Sequence, residues 1–173
     1  MRRVLIWAPL ALFALVFALV AGGLISPGDR TVHSAMIGKP APATPLRPLL
    51  PNKPGIQSFA TDKPRLVNVF ASWCPPCILE APQLMKLKRA GVEIDGVATA
   101  DTADAMQAFL SRNGDPFARI GDDRNRATQI AFGSAGVPET FVIGADGRIA
   151  YQHVGDIRAD DVPKLLAQLE KAK

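Results

Sequence analysis

The residues of this chain best suited to chemistry are its two cysteines, Cys74 and Cys77, in the stretch Ser-Trp-Cys-Pro-Pro-Cys. A disulfide across so small a loop removes little entropy from the unfolded chain, so a purely stabilising role is disfavoured. A structural zinc ion takes four ligands, and the chain adds only His33 and His153, in distant segments. Covalent haem attachment needs a histidine directly after the second cysteine, where Ile78 stands. The spacing therefore favours thiol–disulfide exchange.

The elements around the pair indicate how it would react. Residues 65–71 form a short apolar run with β-branched residues, which predicts a buried strand, and a helix should run from Pro75 to about Ala90. Cys74 then lies at the helix N-cap, where unpaired backbone N–H groups and the positive end of the helix dipole stabilise a thiolate. Cys77, one turn into the helix, faces the interior. We expect Cys74 to attack a substrate disulfide and Cys77 to resolve the mixed disulfide.

The two prolines between the cysteines bear on the direction of electron flow. Pro75 and Pro76 have no amide hydrogen, so a Cys74 thiolate loses two donors and relies mainly on the Cys77 N–H. Pro75 itself suits the first helical turn. Because a less stabilised thiolate makes a less oxidising disulfide, we expect a redox pair closer to thioredoxin than to a strong oxidant.

The remaining elements alternate between strands and helices. Asp101 or Thr102 should cap the helix of residues 101–114, and the turn at Asp146-Gly147 should join two antiparallel strands. This order predicts an α/β fold with a mixed central sheet flanked by helices. The predicted segments are a strand at 92–100, helices at 101–114 and 124–133, strands at 139–143 and 148–154, and a C-terminal helix with Val162, Leu165, Leu166 and Leu169 on its apolar face.

The N-terminus carries a long uncharged segment. Residues 4–25 contain no charge, and a helix of this length spans about 33 Å, enough to cross a hydrocarbon core. A cleaved signal peptide is the alternative, with residues 21–23 as its cleavage site, but Leu24 and Ile25 continue the apolar run. The length favours an uncleaved transmembrane helix preceding the α/β domain.

The charges flanking this segment predict its orientation. Arg2 and Arg3 should stay in the cytoplasm, which sends the rest of the chain across the membrane. We therefore expect residues 1–25 to be a single-pass anchor, residues 26–36 a periplasmic tether, and residues 37–173 the folded domain.

Prolines recur through residues 26–64 and predict a stiff, extended lead-in with room only for short strands. Acidic and basic residues are interspersed at a net charge of +4. No basic stripe that could follow phosphates is present, so a nucleic-acid partner is not expected.

Three stretches together resemble a known family: NVFASWCPPC, GVPETFVI and GRIAYQHVG. They are similar to the membrane-anchored thioredoxin-like proteins of cytochrome c maturation, the CcmG/DsbE type, and the resemblance runs from about Met36 to the C-terminus. It implies a thioredoxin-like fold and a periplasmic reductant that keeps the haem-binding cysteines of apocytochrome c reduced, directly or through a dithiol maturation partner. It also implies a membrane electron donor of the DsbD type and no cofactor besides the cysteine pair.

The resemblance assigns further residues to the site. Cys74 and Cys77 match the redox pair and Trp73 the aromatic residue before it. Pro138 matches the cis-proline beside the active site, which leaves the Val137 backbone free to pair with a substrate strand.

Two acidic residues match acidic positions of the family, Glu80 and Glu139. Glu80 is either a solvated residue on an exposed helix face or a proton-transfer group. The second interpretation gains from Asn68, since thioredoxin has a proton-transferring Asp at the corresponding position. For Glu139 two interpretations are open, proton transfer and partner recognition. Pro82 matches the kinking proline of the thioredoxin helix.

Three positions depart from the family pattern. Ile78 and Leu79 are apolar where basic or polar residues are common, and Thr44 stands where an aromatic residue is common. These departures leave the expected fold and chemistry unchanged. Two other functions are open besides the one that the resemblance implies. One is a Cu(I)-handling thioredoxin-like module with two thiolate ligands, and the other is a general periplasmic disulfide reductase. His153 is expected to be structural or on the surface.

Overall fold

The computed structural model describes residues 2–25 and 34–173, with side chains in the first range from residue 7 to residue 23. These two ranges belong to separate compact units. Helix α1, Arg2–Ile25, covers the long uncharged segment and contains Pro9. Over the part of the chain that is described, no helix combines the length and apolarity that a membrane crossing requires. Residues 26–33, with most of the predicted tether and His33, lie outside the described residues.

The second unit is built on a mixed sheet. Within residues 34–173 the strand order is β3-β2-β1-β4-β5. Strands β1, β2 and β3 are parallel, whereas β4 runs antiparallel to β1 and β5 antiparallel to β4. The strands are β1 (Arg65–Phe70), β2 (Ile94–Thr99), β3 (Arg119–Asp123), β4 (Glu139–Ile143) and β5 (Ile149–Val154). The helices are α2 (Pro75–Arg89), α3 (Ala103–Asn113), α4 (Ala127–Ala131) and α5 (Val162–Lys171).

The alternation of side chains along β1 divides the interior into two apolar layers. Leu66 and Phe70 pack with buried residues of α2, α3 and α5, among them Leu84, Phe109 and Leu165. The next side chains along the strand, Val67 and Val69, pack in the layer on the other face of the sheet. A sheet with helices on its faces is the α/β architecture that the sequence predicts, and that prediction is confirmed.

The proline-rich lead-in packs against this domain, whose predicted bounds already include residues 37–64. The prediction that the lead-in is a stiff, extended spacer is corrected. Leu46, Ile56 and Phe59 are buried in the second layer, beneath the sheet face that the helices α2, α3 and α5 do not cover. Ser34, placed by the prediction in the tether, is buried and donates its hydroxyl to the Phe132 carbonyl at 2.6 Å. Prolines exclude regular helix from this segment, but its apolar side chains still bury surface against the sheet.

Strand β3 was not predicted from the sequence. Arg119–Asp123 contains one large apolar residue, Ile120, and three charged residues, so it shows no strand pattern. Its conformation comes from parallel pairing with β2. A Cβ atom added at Gly121 would lie 2.5 Å from the Leu46 Cβ, so glycine at this position lets the lead-in lie directly on the strand.

Candidate active site

The disulfide lies where the central strand passes into the first helix of the domain. Strand β1 ends at Phe70, helix α2 begins at Pro75, and Cys74 is the N-cap in extended conformation. Cys74 and Cys77 form a disulfide with their Cα atoms 5.3 Å apart. The Cys74 sulfur accepts a hydrogen bond from the Cys77 N–H at 3.3 Å. The predicted N-cap position and the predicted donor to this sulfur are both confirmed.

The two sulfur-bearing residues are less accessible than their neighbours. Cys77 faces the interior as expected, and Cys74 is also buried, with 2% of its surface exposed. Pro75 and Pro76 are exposed, as is Trp73, whose indole Nε1 donates to the Ala100 carbonyl at 3.0 Å. A substrate disulfide must therefore reach Cys74 through a rim formed by exposed side chains. Ile78 and Leu79, which follow Cys77 on α2, are also exposed.

The Val137–Pro138 peptide bond is cis, as the resemblance to the CcmG/DsbE type implies. The antiparallel register pairs Val69 with Glu139, so Pro138 comes next to Phe70 and the loop that leads to Cys74. Pro138 is buried and Val137 half-buried. Among the described residues, no backbone hydrogen bond involves Val137, so its N–H and carbonyl are free to pair with an added strand.

Glu139 holds the loop that precedes this proline. One carboxylate oxygen, Oε1, accepts from the Ala135 N–H at 2.9 Å and from the Gly136 N–H at 3.1 Å. The other, Oε2, accepts from Gln152 Nε2 at 2.7 Å. The residue is 1% exposed. Its carboxylate is thus engaged inside the domain, where it fixes the segment that leads to Val137.

Glu80 is fully buried, so its interpretation as a solvated residue on an exposed helix face is wrong. Its Oε1 accepts from Asn68 Nδ2 at 3.0 Å, and its Oε2 accepts from the Ile157 N–H at 3.2 Å. Burial raises the pKa of Glu80 from 4.5 to about 7; the bonds from Asn68 and Ile157 oppose this shift and the nearby charge of Asp156 adds to it. The carboxyl group can therefore take up and release a proton near neutral pH.

Asn68 lies between this carboxyl group and strand β4. Its Nδ2 donates to Glu80 and also to Thr140 Oγ1 at 3.0 Å, while its Oδ1 has no partner within residues 34–173. The side chain therefore orients the Glu80 carboxyl group from the strand side, although an amide cannot exchange protons as a carboxyl group does.

Two residues beside the disulfide were not assigned to the site from the sequence, Ser72 and Asp101. Asp101 was considered as the cap of α3, but the N-cap is Thr102, whose Oγ1 accepts from the Ala105 N–H. Asp101 instead bonds Ser72 across the gap between two loops. A signal for this contact exists in the sequence. The carboxyl ends of parallel neighbouring strands meet at one edge of a sheet, and each of the two residues lies two positions after the end of such a strand.

Other residues considered from the sequence lie apart from this chemistry. His153 is half-buried on β5, with its Nε2 3.3 Å from the Asp156 carbonyl oxygen. Pro82 lies inside α2, and Thr44 Oγ1 is bonded by the Thr128 hydroxyl at 3.2 Å. Across residues 34–173 and the described part of α1, no three His, Cys, Asp or Glu side chains are grouped so that they could hold a metal ion.

The site combines a Cys-x-x-Cys disulfide at the start of a helix with a cis-proline, on a mixed sheet flanked by helices. This combination defines a thioredoxin-like thiol–disulfide oxidoreductase. Comparison with known proteins narrows this class. Residues 36–169 match the family model described as Redoxin. The chain is 42% identical to the thiol:disulfide interchange protein HelX of Rhodobacter capsulatus, over 79% of this chain and 78% of that protein.

Two more similarities agree with these. The thiol:disulfide interchange protein DsbE homolog of Paracoccus denitrificans is 38% identical over 95% of this chain and 92% of its own length. For the fold alone, a solved thiol:disulfide interchange protein of the thioredoxin family from Chlorobium tepidum superposes with a TM-score of 0.62 at 24% identity, covering 82% of this chain and 99% of that one. The chain belongs to the redoxin family and, within it, to the thiol:disulfide interchange proteins of the DsbE and HelX type.

Proposed function

We propose that this protein is a periplasmic reductant of cytochrome c biogenesis, which keeps the haem-binding cysteines of apocytochrome c, or the dithiol of a maturation partner, in the reduced state. A membrane electron donor of the DsbD type would return the Cys74–Cys77 disulfide to the dithiol. Support comes from the family to which the chain belongs and from the three stretches that resemble the cytochrome c maturation proteins.

The proposed location is the periplasmic face of the inner membrane, with residues 1–25 as the anchor. Support comes from the sequence: residues 4–25 carry no charge, and Arg2 and Arg3 precede them. Fusing a reporter enzyme that is active only in the periplasm after Lys173 tests the orientation. Activity of the fusion supports the proposal, and activity of a cytoplasmic reporter at the same position contradicts it.

The proposed direction of electron flow depends on one observation, the donor set of the Cys74 sulfur. Among the described residues, the Cys77 N–H is its hydrogen-bond donor, because the two intervening residues are prolines. A thiolate with few donors is poorly stabilised, so the reduced state is not strongly favoured and the disulfide is a weak oxidant. Such a pair gives its electrons to other disulfides readily.

The reaction is a two-electron exchange in two steps. The Cys74 thiolate attacks one sulfur of the target disulfide, the target S–S bond breaks, and the released target thiolate takes up a proton. Cys77 then loses its proton and attacks the Cys74 sulfur, which breaks the mixed disulfide and releases the second target thiol. The target has gained two electrons and two protons, and the protein is left as the Cys74–Cys77 disulfide.

Glu80 would serve the second step as a proton acceptor. It follows Cys77 by three residues on the same helix, so the two side chains share a face. Its pKa of about 7 matches a group that must accept a proton at neutral pH and release it again. Asn68 and the Ile157 N–H hold the carboxyl group in place for this transfer.

The reduction potential of the full-length protein tests the proposal. A value near thioredoxin's, about −270 mV, supports a reductant, whereas a value near −120 mV, typical of a strong oxidant, would reverse the assigned direction. A deletion strain then tests the pathway, with Cys74→Ser/Cys77→Ser protein as the inactive control. The maturation role is supported if the deletion strain lacks c-type cytochromes and if the wild-type protein, but not the double variant, restores them. Normal cytochromes together with oxidised cysteines in other periplasmic proteins would indicate a general reductase instead.

A further inference from the structure

Two loops meet at the edge of the sheet next to Cys74. Residues 71–74 follow β1, and residues 100–102 follow its parallel neighbour β2. The Asp101 carboxylate lies between them and is 7% exposed. It accepts from the Ser72 N–H at 2.6 Å and from the Ser72 hydroxyl at 2.8 Å. The Asp101 carboxylate therefore accepts from both donors of Ser72, the residue two positions before Cys74.

Further bonds reinforce this connection. Asp101 Oδ1 also accepts from the Thr102 N–H at 2.7 Å, which fixes the carboxylate to its own loop. The Trp73 indole donates to the Ala100 carbonyl, so consecutive residues of one loop bond consecutive residues of the other. Ala100 has a φ of 47°, a left-handed conformation that costs a non-glycine residue energy, and its N–H is held by the Asp123 carbonyl at 3.2 Å. The surroundings thus determine where the Ala100 carbonyl points.

We propose that Asp101, through Ser72, is a positioning residue for thiol–disulfide exchange. It holds the turn that carries Cys74 against the start of α2, which favours closure of the Cys74–Cys77 disulfide. Helix capping does not account for the residue, because Thr102 caps α3. The inference concerns the exchange itself and holds whichever protein is the target.

Two effects of Asp101 act in the same direction on the disulfide equilibrium. A turn held in place raises the effective concentration of one sulfur at the other, so the disulfide closes more readily. A carboxylate close to the loop opposes the negative charge of a Cys74 thiolate, which disfavours the reduced form. Both effects stabilise the disulfide relative to the dithiol and make the pair more reducing.

The test is the equilibrium of the purified full-length protein with reduced and oxidised glutathione. In Asp101→Asn one of the two carboxylate oxygens becomes an NH2 group, so a backbone N–H, that of Ser72 or that of Thr102, loses its acceptor, and the charge is lost as well. We expect the equilibrium to shift about tenfold toward the dithiol, a rise in reduction potential of about 30 mV. Ser72→Ala loses only the hydroxyl bond and should shift it about threefold in the same direction. Ser72→Thr keeps a hydroxyl and should restore the wild-type value.

Thr102→Ala is the matched control, because it removes a cap in the same loop and touches neither Ser72 nor the disulfide. It should lower the melting temperature without moving the potential. If Asp101→Asn does not fold, the comparison of Ser72→Ala with Ser72→Thr still tests the inference. An unchanged potential in Asp101→Asn, or an equal change in Thr102→Ala, would overturn the inference. A shift in Asp101→Asn with none in Ser72→Ala would overturn it too, because charge alone would then explain the result.

Discussion

Asn68 Nδ2 donates a hydrogen bond to Glu80 Oε1 at 3.0 Å, which joins the central strand to the helix that carries the disulfide. Both side chains are fully buried. An amide donor alone does not neutralise a buried carboxylate, so the pKa of Glu80 rises to about 7. The pair therefore places a group that titrates near neutral pH inside the domain, on the buried face of the redox helix α2.

The raised pKa of Glu80 predicts how stability depends on pH. Below pH 4.5 the carboxyl group is protonated in both the folded and the unfolded chain, and as pH rises through 4.5 to about 7 only the unfolded chain ionises freely. The folded state should thereby lose about 3 kcal/mol, at about 1.4 kcal/mol per pH unit. Urea unfolding at pH 4 and pH 8 measures this loss, which Glu80→Gln should abolish. The exposed Glu170→Gln should keep the wild-type loss, and equal pH dependence in all three proteins would contradict the prediction.

Glu80→Gln should also slow the chemistry at neutral pH. Glutamine cannot accept the Cys77 proton, so release of the mixed disulfide should slow by about 10²-fold at pH 7. Stopped-flow measurement of the second step with a model peptide disulfide gives this rate. Near pH 10 the thiol ionises without assistance, and the defect should largely disappear. A defect of the same size at both pH values would show that Glu80 shapes the site without transferring the proton.

Much of the fold is predictable because local patterns determine it. The apolar stripe of α3, with Met106 and Phe109, and the β-branched run of β1 fix their elements almost independently of context. Strand β3 is different, since its charged sequence becomes a strand only through pairing with β2. The lead-in is similar: its prolines exclude a helix, but nothing local indicates that Leu46 and Phe59 are buried against the sheet.

The site likewise has features that local sequence predicts and features that depend on contacts between distant parts of the chain. The position of Cys74 at the N-cap follows from the strand, the cysteine spacing and Pro75, all adjacent in sequence. The burial of Glu80 does not, because one of its partners, Ile157, lies 77 residues away along the chain. A charged residue at a helix position is normally solvated, and only the tertiary contacts reveal this exception. The same holds for the bond between Ser72 and Asp101, which are 29 residues apart.

The contacts of the Glu139 carboxylate predict that replacing Glu139 impairs the reaction with peptide substrates but not with small disulfides. Glu139→Ala leaves the Ala135 and Gly136 N–H groups without their acceptor, which should cost about 3 kcal/mol of folding stability and loosen the segment leading to Val137. We expect a substrate peptide to pair with the Val137 backbone, so the peptide KM should rise several-fold, whereas the rate with glutathione disulfide, per folded molecule, should stay unchanged. Glu139→Gln retains an acceptor oxygen and should recover most of the peptide KM. Parallel losses for both substrates would contradict this role.

The prolines of the redox motif predict the direction in which the potential moves when they are replaced. Pro76→Ala restores a backbone N–H near the Cys74 sulfur, which at present accepts from the Cys77 N–H. A new donor to the thiolate should stabilise the reduced form by about 1.5 kcal/mol and raise the reduction potential by about 30 mV. Pro82→Ala makes the same change further along α2, away from the sulfur, and should leave the potential unchanged. Equal potentials in Pro76→Ala and the wild type, measured against glutathione, would show that the missing amide does not set the redox direction.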